Sequence, residues 1–291
     1  MTPHGPSPTR IASLGALAAA LLLTACDARP AGEPVVRTEL GEPVESVSSQ
    51  SDQAALDEAA AAELALAQGN GPCQSVTFEG VPLTHCIADP EQHRIRASLA
   101  PSSGANFGTI EGWAAGRNES DIAFVMNGGM YDDNLKAMGY FVQDSDRLVE
   151  LNRADGSGNF FLKPNGVFFG SNDRWRILDT ETFLRTIGDR PQFGTQSGPM
   201  LVIGGDLHPD IQDNGPSKAI RNGVGIDASG KAHFVISDAP LSFGQLARFF
   251  RDELNATNAL FLDGNISSLW NPATGRMDSR RVGPLLVVET K

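Results

Sequence analysis

The chain has little positive charge and few histidines or cysteines, and each shortage excludes a class of function. Its 291 residues include 23 Lys and Arg against 35 Asp and Glu, a net charge of −12. Such an acidic chain is not expected to bind nucleic acid, because phosphate backbones are held by basic surfaces. The five histidines lie in separate segments, and the G-x-S-x-G, H-E-x-x-H and P-loop patterns are missing. A serine-hydrolase triad, a zinc-peptidase helix and a nucleotide-binding loop are therefore not predicted.

The first of the three cysteines lies in an export signal. Residues 11–23 form an apolar run too short to span a bilayer comfortably, and residues 23–26 read LTAC, which resembles a bacterial lipobox. We therefore expect residues 1–25 to be a lipoprotein signal peptide and Cys26 to carry the lipid, which is a stable anchor when several acyl chains are present. An ordinary signal peptide with a chance cysteine is the alternative. Asp27 resembles an inner-membrane retention signal, so the expected location is extracytoplasmic, on the periplasmic face of the inner membrane.

The other two cysteines, Cys73 and Cys86, are close enough in sequence to pair. An exported chain meets an oxidising compartment, where such a pair forms a disulfide. A loop of this size contributes about 3 kcal/mol to stability in the chain-entropy model. Two unpaired buried thiols are the alternative, and a metal site is not predicted, because only His85 lies beside them. No cofactor is predicted, and the sequence leaves open whether a divalent ion takes part.

The composition divides the chain into a tether and one domain. Residues 26–70 are rich in Pro, Glu, Ser and Ala and contain no aromatic residue, so they cannot bury a core. Residues 71–291 alternate short apolar runs with turn clusters, which predicts an α+β domain with a mixed β-sheet and few helices. The best helix covers 242–254, where Ser242 and Gln245 form a capping box, and a shorter one covers 181–187. The predicted strands are 75–78, 83–87, 94–99, 122–126, 140–143, 160–162, 167–169, 175–178, 200–203, 224–226, 232–236, 259–262 and 285–288.

Four predicted strands have an Asp, Asn, Ser or Arg beside glycine at one end. The apolar run 259–262 ends at Asp263 and Gly264, which indicates a buried strand that holds a carboxylate rigidly at its end. An Asp that only forms a turn is the simpler alternative. Asn127, Ser197 and Arg221 lie at comparable strand edges. Four such junctions in one domain favour a single polar cleft over four unrelated turns.

Five segments at these junctions resemble the phosphodiester glycosidase family, with the nearest likeness to an uncharacterised bacterial branch. The segments are Asn127-Gly128-Gly129-Met130-Tyr131, Lys163-Pro164-Asn165-Gly166-Val167-Phe168, Thr195-Gln196-Ser197-Gly198-Pro199, Arg221-Asn222-Gly223-Val224-Gly225 and Leu262-Asp263-Gly264. The resemblance extends over residues 76–288. Two departures stand out: Asn265 and Ile266 follow the Leu-Asp-Gly segment where the family often has glycines, and Asn222 replaces a small hydroxyl residue.

The resemblance implies hydrolysis of a sugar-1-phosphodiester in the cell envelope, with Asp263, Arg221 and Asn127 as catalytic residues. Asp263 would act as general base, nucleophile or stabiliser of the transition state, and these three roles stay open. Arg221 would hold the phosphate with its planar guanidinium, whereas a surface arginine at a strand start is the alternative. Further residues are predicted to bind substrate: Gly128, Asn165, Gln196, Ser197, Gly198, Asn222, Asp238, Gly264 and Ser267.

A second class of function is compatible with the same motifs. The two residues after Gly264 favour a non-catalytic envelope lipoprotein that binds glycans or glycan phosphates in the same cleft. In both cases the expected partners are a carbohydrate phosphodiester and, through Cys26, a membrane. The amide and hydroxyl side chains near the cleft, such as Asn165 and Gln196, have a simpler alternative too, because they also stabilise turns by bonding to the backbone.

Overall fold

The computed structural model describes residues 71–100 and 104–291. The predicted signal peptide, the lipidation site at Cys26 and the tether lie outside the described residues. Within the part of the chain that is described, no helix is both long enough and apolar enough to cross a membrane.

Short strands dominate the described chain, and three short helices accompany them. The strands are β1 Cys73–Phe78, β2 Val81–Ala88, β3 His93–Ser98, β4 Ile122–Asn127, β5 Phe141–Gln143, β6 Asp146–Val149, β7 Gly166–Ser171, β8 Arg174–Asp179, β9 Phe193–Ser197, β10 Met200–Ile203, β11 Asp206–Leu207, β12 Asn222–Asp227, β13 Ala232–Ser237, β14 Ala256–Phe261, β15 Leu269–Asn271, β16 Arg276–Met277 and β17 Leu285–Thr290. The helices are α1 Ile110–Ala114, α2 Thr180–Thr186 and α3 Phe243–Arg248, which continues into the π-helical turn Phe249–Glu253. The predicted α+β class with few helices is confirmed.

The strands form three sheets, and their described pairs are antiparallel. The seven-stranded sheet has the order β1-β2-β13-β12-β14-β10-β11, and the two five-stranded sheets have the orders β16-β15-β4-β17-β3 and β6-β5-β9-β7-β8. The sheets meet at Phe234 of β13, whose ring centroid lies 5.1 Å from that of Phe124 in β4 and 5.9 Å from that of Phe168 in β7. All three rings are fully buried. One aromatic cluster therefore contacts all three sheets, since each ring comes from a different one.

Helix α3 begins as the sequence predicts and packs on the seven-stranded sheet. The Ser242 hydroxyl accepts from the Gln245 amide, while the Gln245 side chain accepts from the Ser242 amide, so the capping box is complete. Phe250, in the π-helical turn, lies against β12 at Gly225. A Cβ atom at Gly225 would lie 2.6 Å from the Phe250 ring, so this close approach requires glycine.

The strand predicted at 160–162 is wrong, because that segment forms the 3₁₀ turn Asn159–Phe161. The Asn165 side-chain amide donates to the Phe160 carbonyl, which keeps that carbonyl out of any strand pairing. Five observed strands were not predicted: β6, β9, β11, β15 and β16. Strand β9 has the sequence FGTQS, and its polar residues give no apolar run to detect.

The predicted disulfide is present between Cys73 and Cys86. These two residues are direct partners in the antiparallel register of β1 and β2. The bond therefore joins the edge strand of the large sheet to its neighbour at the first residue of β1.

A row of buried side chains crosses the same end of the large sheet. His85 Nε2 lies 3.0 Å from His233 Nδ1, and His233 Nε2 lies 3.2 Å from an Asp227 carboxylate oxygen. Burial, with a smaller contribution from the neighbouring His233, lowers the pKa of His85 from 6.5 to about 4. Burial also lowers the pKa of His233. Both rings are therefore neutral in the folded protein at pH 7.

This histidine pair predicts a pH-dependent stability. Because His85 binds a proton more weakly when folded, its contribution is present above pH 6.5 and is lost as the pH falls towards 4. We expect the free energy of unfolding to fall by about 3 kcal/mol over this window from His85 alone. Urea unfolding at several pH values measures this, and His85→Gln should flatten the profile. An unchanged profile in that variant would assign the pH dependence to other groups.

Candidate active site

The side chain of Asn127, at the end of β4, joins three segments that the sequence places far apart. Its amide nitrogen donates to the Asp263 carbonyl at 2.9 Å. Its amide oxygen accepts from Asn222 Nδ2 at 2.9 Å and from the Ser268 backbone amide at 2.8 Å. The residue is 0% exposed. Since these groups come from β4, β12 and the turn after β14, Asn127 holds the ends of these strands in one place.

Asn222 and Ser267 extend this network. Ser267 Oγ lies 2.9 Å from the Gly264 carbonyl and 3.4 Å from Asn222 Oδ1. Asn222 is fully buried and uses its amide nitrogen on Asn127. A residue with a shorter side chain at position 222 would lose this bond, so the departure from the family pattern has a structural role here.

Asp263 follows β14 with only Leu262 between them, at the strand end where the sequence predicts a carboxylate. It is 9% exposed, and its backbone amide donates to the Gly128 carbonyl at 3.2 Å. Gly264, which follows it, begins the 3₁₀ turn Gly264–Ile266. Asp263 also acts electrostatically on Tyr131. Burial first, and then the Asp263 carboxylate, raises the pKa of Tyr131 to about 12. The Asn127–Tyr131 loop and the turn after β14 thus share one polar environment.

Arg221 is not a surface arginine, because only 3% of it is exposed. Its guanidinium carbon lies 3.7 Å from the centroid of the Phe243 ring. Nε donates to the Leu241 carbonyl at 3.0 Å, and Nη2 donates to the Ser217 carbonyl at 3.1 Å. Burial lowers the pKa of Arg221 to about 10, so the side chain is still charged at neutral pH.

The position of Arg221 relative to Asp263 follows from the turn between them. A Cβ atom at Gly264 would lie 3.3 Å from the Arg221 Cα. Among the described residues, no carboxylate lies within 4.0 Å of the Arg221 guanidinium. The site therefore combines a buried carboxylate with a buried cation that neutral groups hold in place.

A cavity of about 400 Å³ lies beside Ser267. Its lining includes two predicted residues, Asp238 and Ser267, together with Arg276, Asp278 and Arg280. Arg276 Nη1 forms an ion pair with Asp238 at 2.8 Å. The other Asp238 oxygen accepts from Thr84 Oγ1 at 2.9 Å. Both carboxylate oxygens of Asp238 are thus bonded to protein groups at the edge of this cavity.

Gln196 and Asn165 make protein contacts with their side-chain polar atoms. Gln196 Oε1 accepts from the Tyr140 and Asn152 amides, and Nε2 donates to the Asn152 carbonyl and to Thr180 Oγ1. Thr180 Oγ1 also donates to Asn165 Oδ1 at 2.8 Å. These bonds use the full capacity of the Gln196 amide. The geometry therefore favours structural roles for both amides.

The Gly128–Gly129 segment packs against the predicted Ser197 segment. A Cβ atom at Gly129 would lie 2.2 Å from the Gln196 carbonyl, so only glycine allows this approach. Ser197 is fully buried, and its hydroxyl has no hydrogen-bond partner among the described residues. Gly198 and Pro199 then lead from β9 to β10, and the Pro199 carbonyl accepts from Phe261. This segment therefore adjoins the end of β14, and substrate binding by Ser197 and Gly198 stays a prediction.

Sequence reasoning missed four residues of this region: Tyr131, Arg276, Asp278 and Arg280. Tyr131 belongs to the segment 127–131, one of the five that resemble the family, so its position in that segment was the available signal. The other three lie in the segment 276–281, which contains three arginines and one aspartate between short strands. That cluster of charge was the only sequence signal, and nothing in it indicates contact with Asp238.

A carboxylate, an arginine and buried amides lie at neighbouring strand ends in this site. Residues 120–289 match the family model of the phosphodiester glycosidases. The chain belongs to this family. The matched region contains all five segments on which the resemblance rests, from Asn127 to Gly264.

The chain is also similar to one curated protein and to one solved structure. It is 35% identical over 183 residues to the uncharacterized protein YigE of Escherichia coli strain K12, which covers 62% of this chain and 71% of YigE. The zebrafish N-acetylglucosamine-1-phosphodiester alpha-N-acetylglucosaminidase catalytic domain, in a structure auto-inhibited by its pro-peptide, superposes with a TM-score of 0.51. That alignment covers 75% of this chain and 82% of the zebrafish chain at 17% sequence identity. The zebrafish structure therefore shows a shared fold.

Because the Asn127 side chain bonds to three separate segments, we expect a small change at this position to lower the free energy of unfolding strongly. Asn127→Asp keeps the shape and the acceptor but replaces the donor that faces the Asp263 carbonyl with an oxygen. We expect the free energy of unfolding to fall by about 2–4 kcal/mol, as is typical when a buried polar group loses its partner. Urea unfolding measures this. The control is Asn258→Asp, at a partly exposed asparagine whose side chain accepts from the Gly204 amide and donates no hydrogen bond among the described residues. Equal losses in the two variants would mean that Asn127 has no special structural role.

Proposed function

We propose that this protein is a glycosidase that hydrolyses a sugar-1-phosphodiester in the cell envelope, releasing the sugar and a phosphate monoester. The observation that carries the proposal is that a nearly buried carboxylate, Asp263, precedes Gly264, which packs against the backbone of the buried Arg221. Membership of the phosphodiester glycosidase family supports the same reaction class.

The chemistry suits a site with one well-held carboxylate. Water adds to the anomeric carbon of the sugar while the bond from that carbon to the phosphate oxygen breaks. The phosphate leaves as a stable anion, so it needs little protonation by a general acid. Asp263 would stabilise the positive charge that develops on the sugar, attack the anomeric carbon as a nucleophile, or activate water as a general base. The backbone bond to Gly128 and the Asn127 bond to the Asp263 carbonyl fix its position.

Arg221 would supply the charge that attracts the phosphodiester. Phe243 and the carbonyls of Leu241 and Ser217 hold its guanidinium in one orientation. Its remaining amine, Nη1, has no acceptor among the hydrogen bonds of the described residues. A preorganised cation of this kind stabilises an anionic group without rearrangement when the substrate binds.

The first test of the proposal concerns Asp263. Asp263→Asn keeps the size of the side chain but removes its charge, so the protein should fold and lose about a hundredfold or more of its turnover. The assay is phosphate monoester release from a panel of glycosyl phosphodiesters. Asp133→Asn, which changes an exposed carboxylate near the same loop, is the matched control. Wild-type turnover in the Asp263 variant would remove this residue from the mechanism. Binding of the panel by the unaltered protein without turnover would favour the non-catalytic alternative.

The second test concerns the anionic part of the substrate. Arg221→Lys keeps the positive charge but loses the planar fork. Activity on a sugar phosphodiester should fall by about tenfold or more, while activity on a neutral aryl glycoside of the same sugar should change far less. The neutral substrate lacks the group that Arg221 would hold. Equal losses on both substrates would show that Arg221 supports the fold or the sugar subsite instead.

A further inference from the structure

Three adjoining cavities form a continuous groove away from Asp263. Their volumes are about 490, 300 and 270 Å³. Asn172 lines the first and second, while Arg96, Asp144 and Glu289 line the second and third. None of the residues assigned to the candidate site lines any of them. We call this feature the arginine groove, after the arginines that line it: Arg94, Arg96, Arg117, Arg174, Arg176 and Arg190.

Most of these arginines have no ion-pair partner within the described residues. Arg96 pairs with Asp144 at 2.8 Å and with Glu289 at 3.4 Å. The other five have no carboxylate within 4.0 Å among residues 71–100 and 104–291. Outside the groove, arginines such as Arg153 and Arg248 do pair with carboxylates. In a chain with 35 acidic residues, this concentration of unpaired cations in one groove calls for an anionic ligand.

The two arginines of β3 lie in a short row on one face of the strand. His93, Ile95 and Ala97 face the core, so Arg94 and Arg96 share the outer face. Residues two apart on a strand are separated by roughly 7 Å. Together with the arginines of the other two cavities, this spacing gives an elongated set of cations that suits an extended chain carrying several charges.

The row ends near the candidate site. Ser98 of β3 pairs with Leu285 of β17, and Leu285 pairs with Asn127 of β4. Neighbouring strands lie about 4.8 Å apart, so Ser98 is roughly 10 Å from Asn127 across the sheet.

The third cavity holds a second cation close to the row. The Arg117 guanidinium carbon lies 4.3 Å from the centroid of the Trp113 ring and 5.2 Å from that of Phe107. Burial, and then the nearby charge of Arg96, lowers the pKa of Arg117, while Glu289 acts in the opposite direction. Asp144 and Glu289 already pair with Arg96 in this cavity, so the cation left for an anionic ligand there is Arg117.

The acidic residues of the groove restrict which kinds of anionic polymer can bind there. Asp144, Glu289, Asp173 and Asp189 also line it, between the arginines. A polymer with an unbroken row of phosphates would be repelled at each carboxylate. Sugar hydroxyls instead donate hydrogen bonds to carboxylates. The pattern fits a polymer in which anionic groups are separated by neutral hydroxylated units.

We propose that the arginine groove is a second binding site, separate from Asp263, for an extended anionic polysaccharide that carries phosphate or carboxylate groups. Its five unpaired arginines bind the anionic groups, and its carboxylates accept from the sugar hydroxyls. The site binds its ligand whether or not Asp263 is catalytic, so a binding measurement tests it independently of the proposed function.

The experiment measures binding of two labelled probes by fluorescence anisotropy at low ionic strength. Hyaluronan oligosaccharides supply carboxylates on alternate sugars, and phosphorylated dextran of similar length supplies phosphates. We expect at least one probe to bind and unmodified dextran not to bind. The tighter probe identifies the preferred anion. Absence of binding by both anionic probes would overturn the proposal, as would tighter binding of oligothymidine, which would assign the groove to nucleic acid.

Two triple variants with equal change of charge locate the binding. Arg117→Gln, Arg176→Gln and Arg190→Gln together remove three unpaired groove arginines, and the affinity should fall about tenfold or more. Arg147→Gln, Arg153→Gln and Arg185→Gln together remove three arginines outside the groove, and the affinity should stay within about threefold. Equal losses would overturn the proposal, because they would reflect overall charge. If thermal unfolding shows that the groove triple does not fold, Arg176→Gln is compared with Arg185→Gln by the same criteria.

Discussion

The side-chain amide of Asn127 sets the geometry of the candidate site, because a fully buried amide must find partners for both its donor and its acceptor. Its partners are the Asp263 carbonyl, Asn222 and Ser268, which lie between 95 and 141 residues away along the chain. These bonds form only when β4, β12 and the turn after β14 reach the same point. The position of the Asp263 carboxylate is therefore a consequence of how one amide is satisfied.

Arg221 illustrates the tension between stability and function at this point. Withdrawing a guanidinium from water costs free energy, and in this site no described carboxylate offsets that cost. The aromatic ring of Phe243 and two carbonyls stabilise the cation instead. A protein that needed only a stable core would place an apolar side chain at position 221. The retention of charge there is in keeping with a role in binding an anion.

Local patterns in the sequence predicted the strand ends well and the contacts between them poorly. The apolar run before Asp263 located β14 to within a few residues, since buried strands are visible as apolar runs. Strand β9 escaped prediction because its Thr195 and Gln196 side chains bond to other segments rather than pack in an apolar layer. The contact of Arg221 with Phe243, and that of Asp238 with Arg276, depend on packing between distant segments. Neither leaves a periodic signal in the chain, so the sequence alone does not exclude a surface position for Arg221.

The disulfide between Cys73 and Cys86 also has a mechanical consequence. Any tension applied through the preceding part of the chain enters the domain at the first residue of β1, an edge strand whose hydrogen bonds would otherwise open one after another from that end. Because Cys73 is directly opposite Cys86 in the register, the covalent link passes the load to β2, which pairs with both β1 and β13. Peeling of the edge strand is then blocked at its starting point, and the load falls on the pairing of β2 with β13.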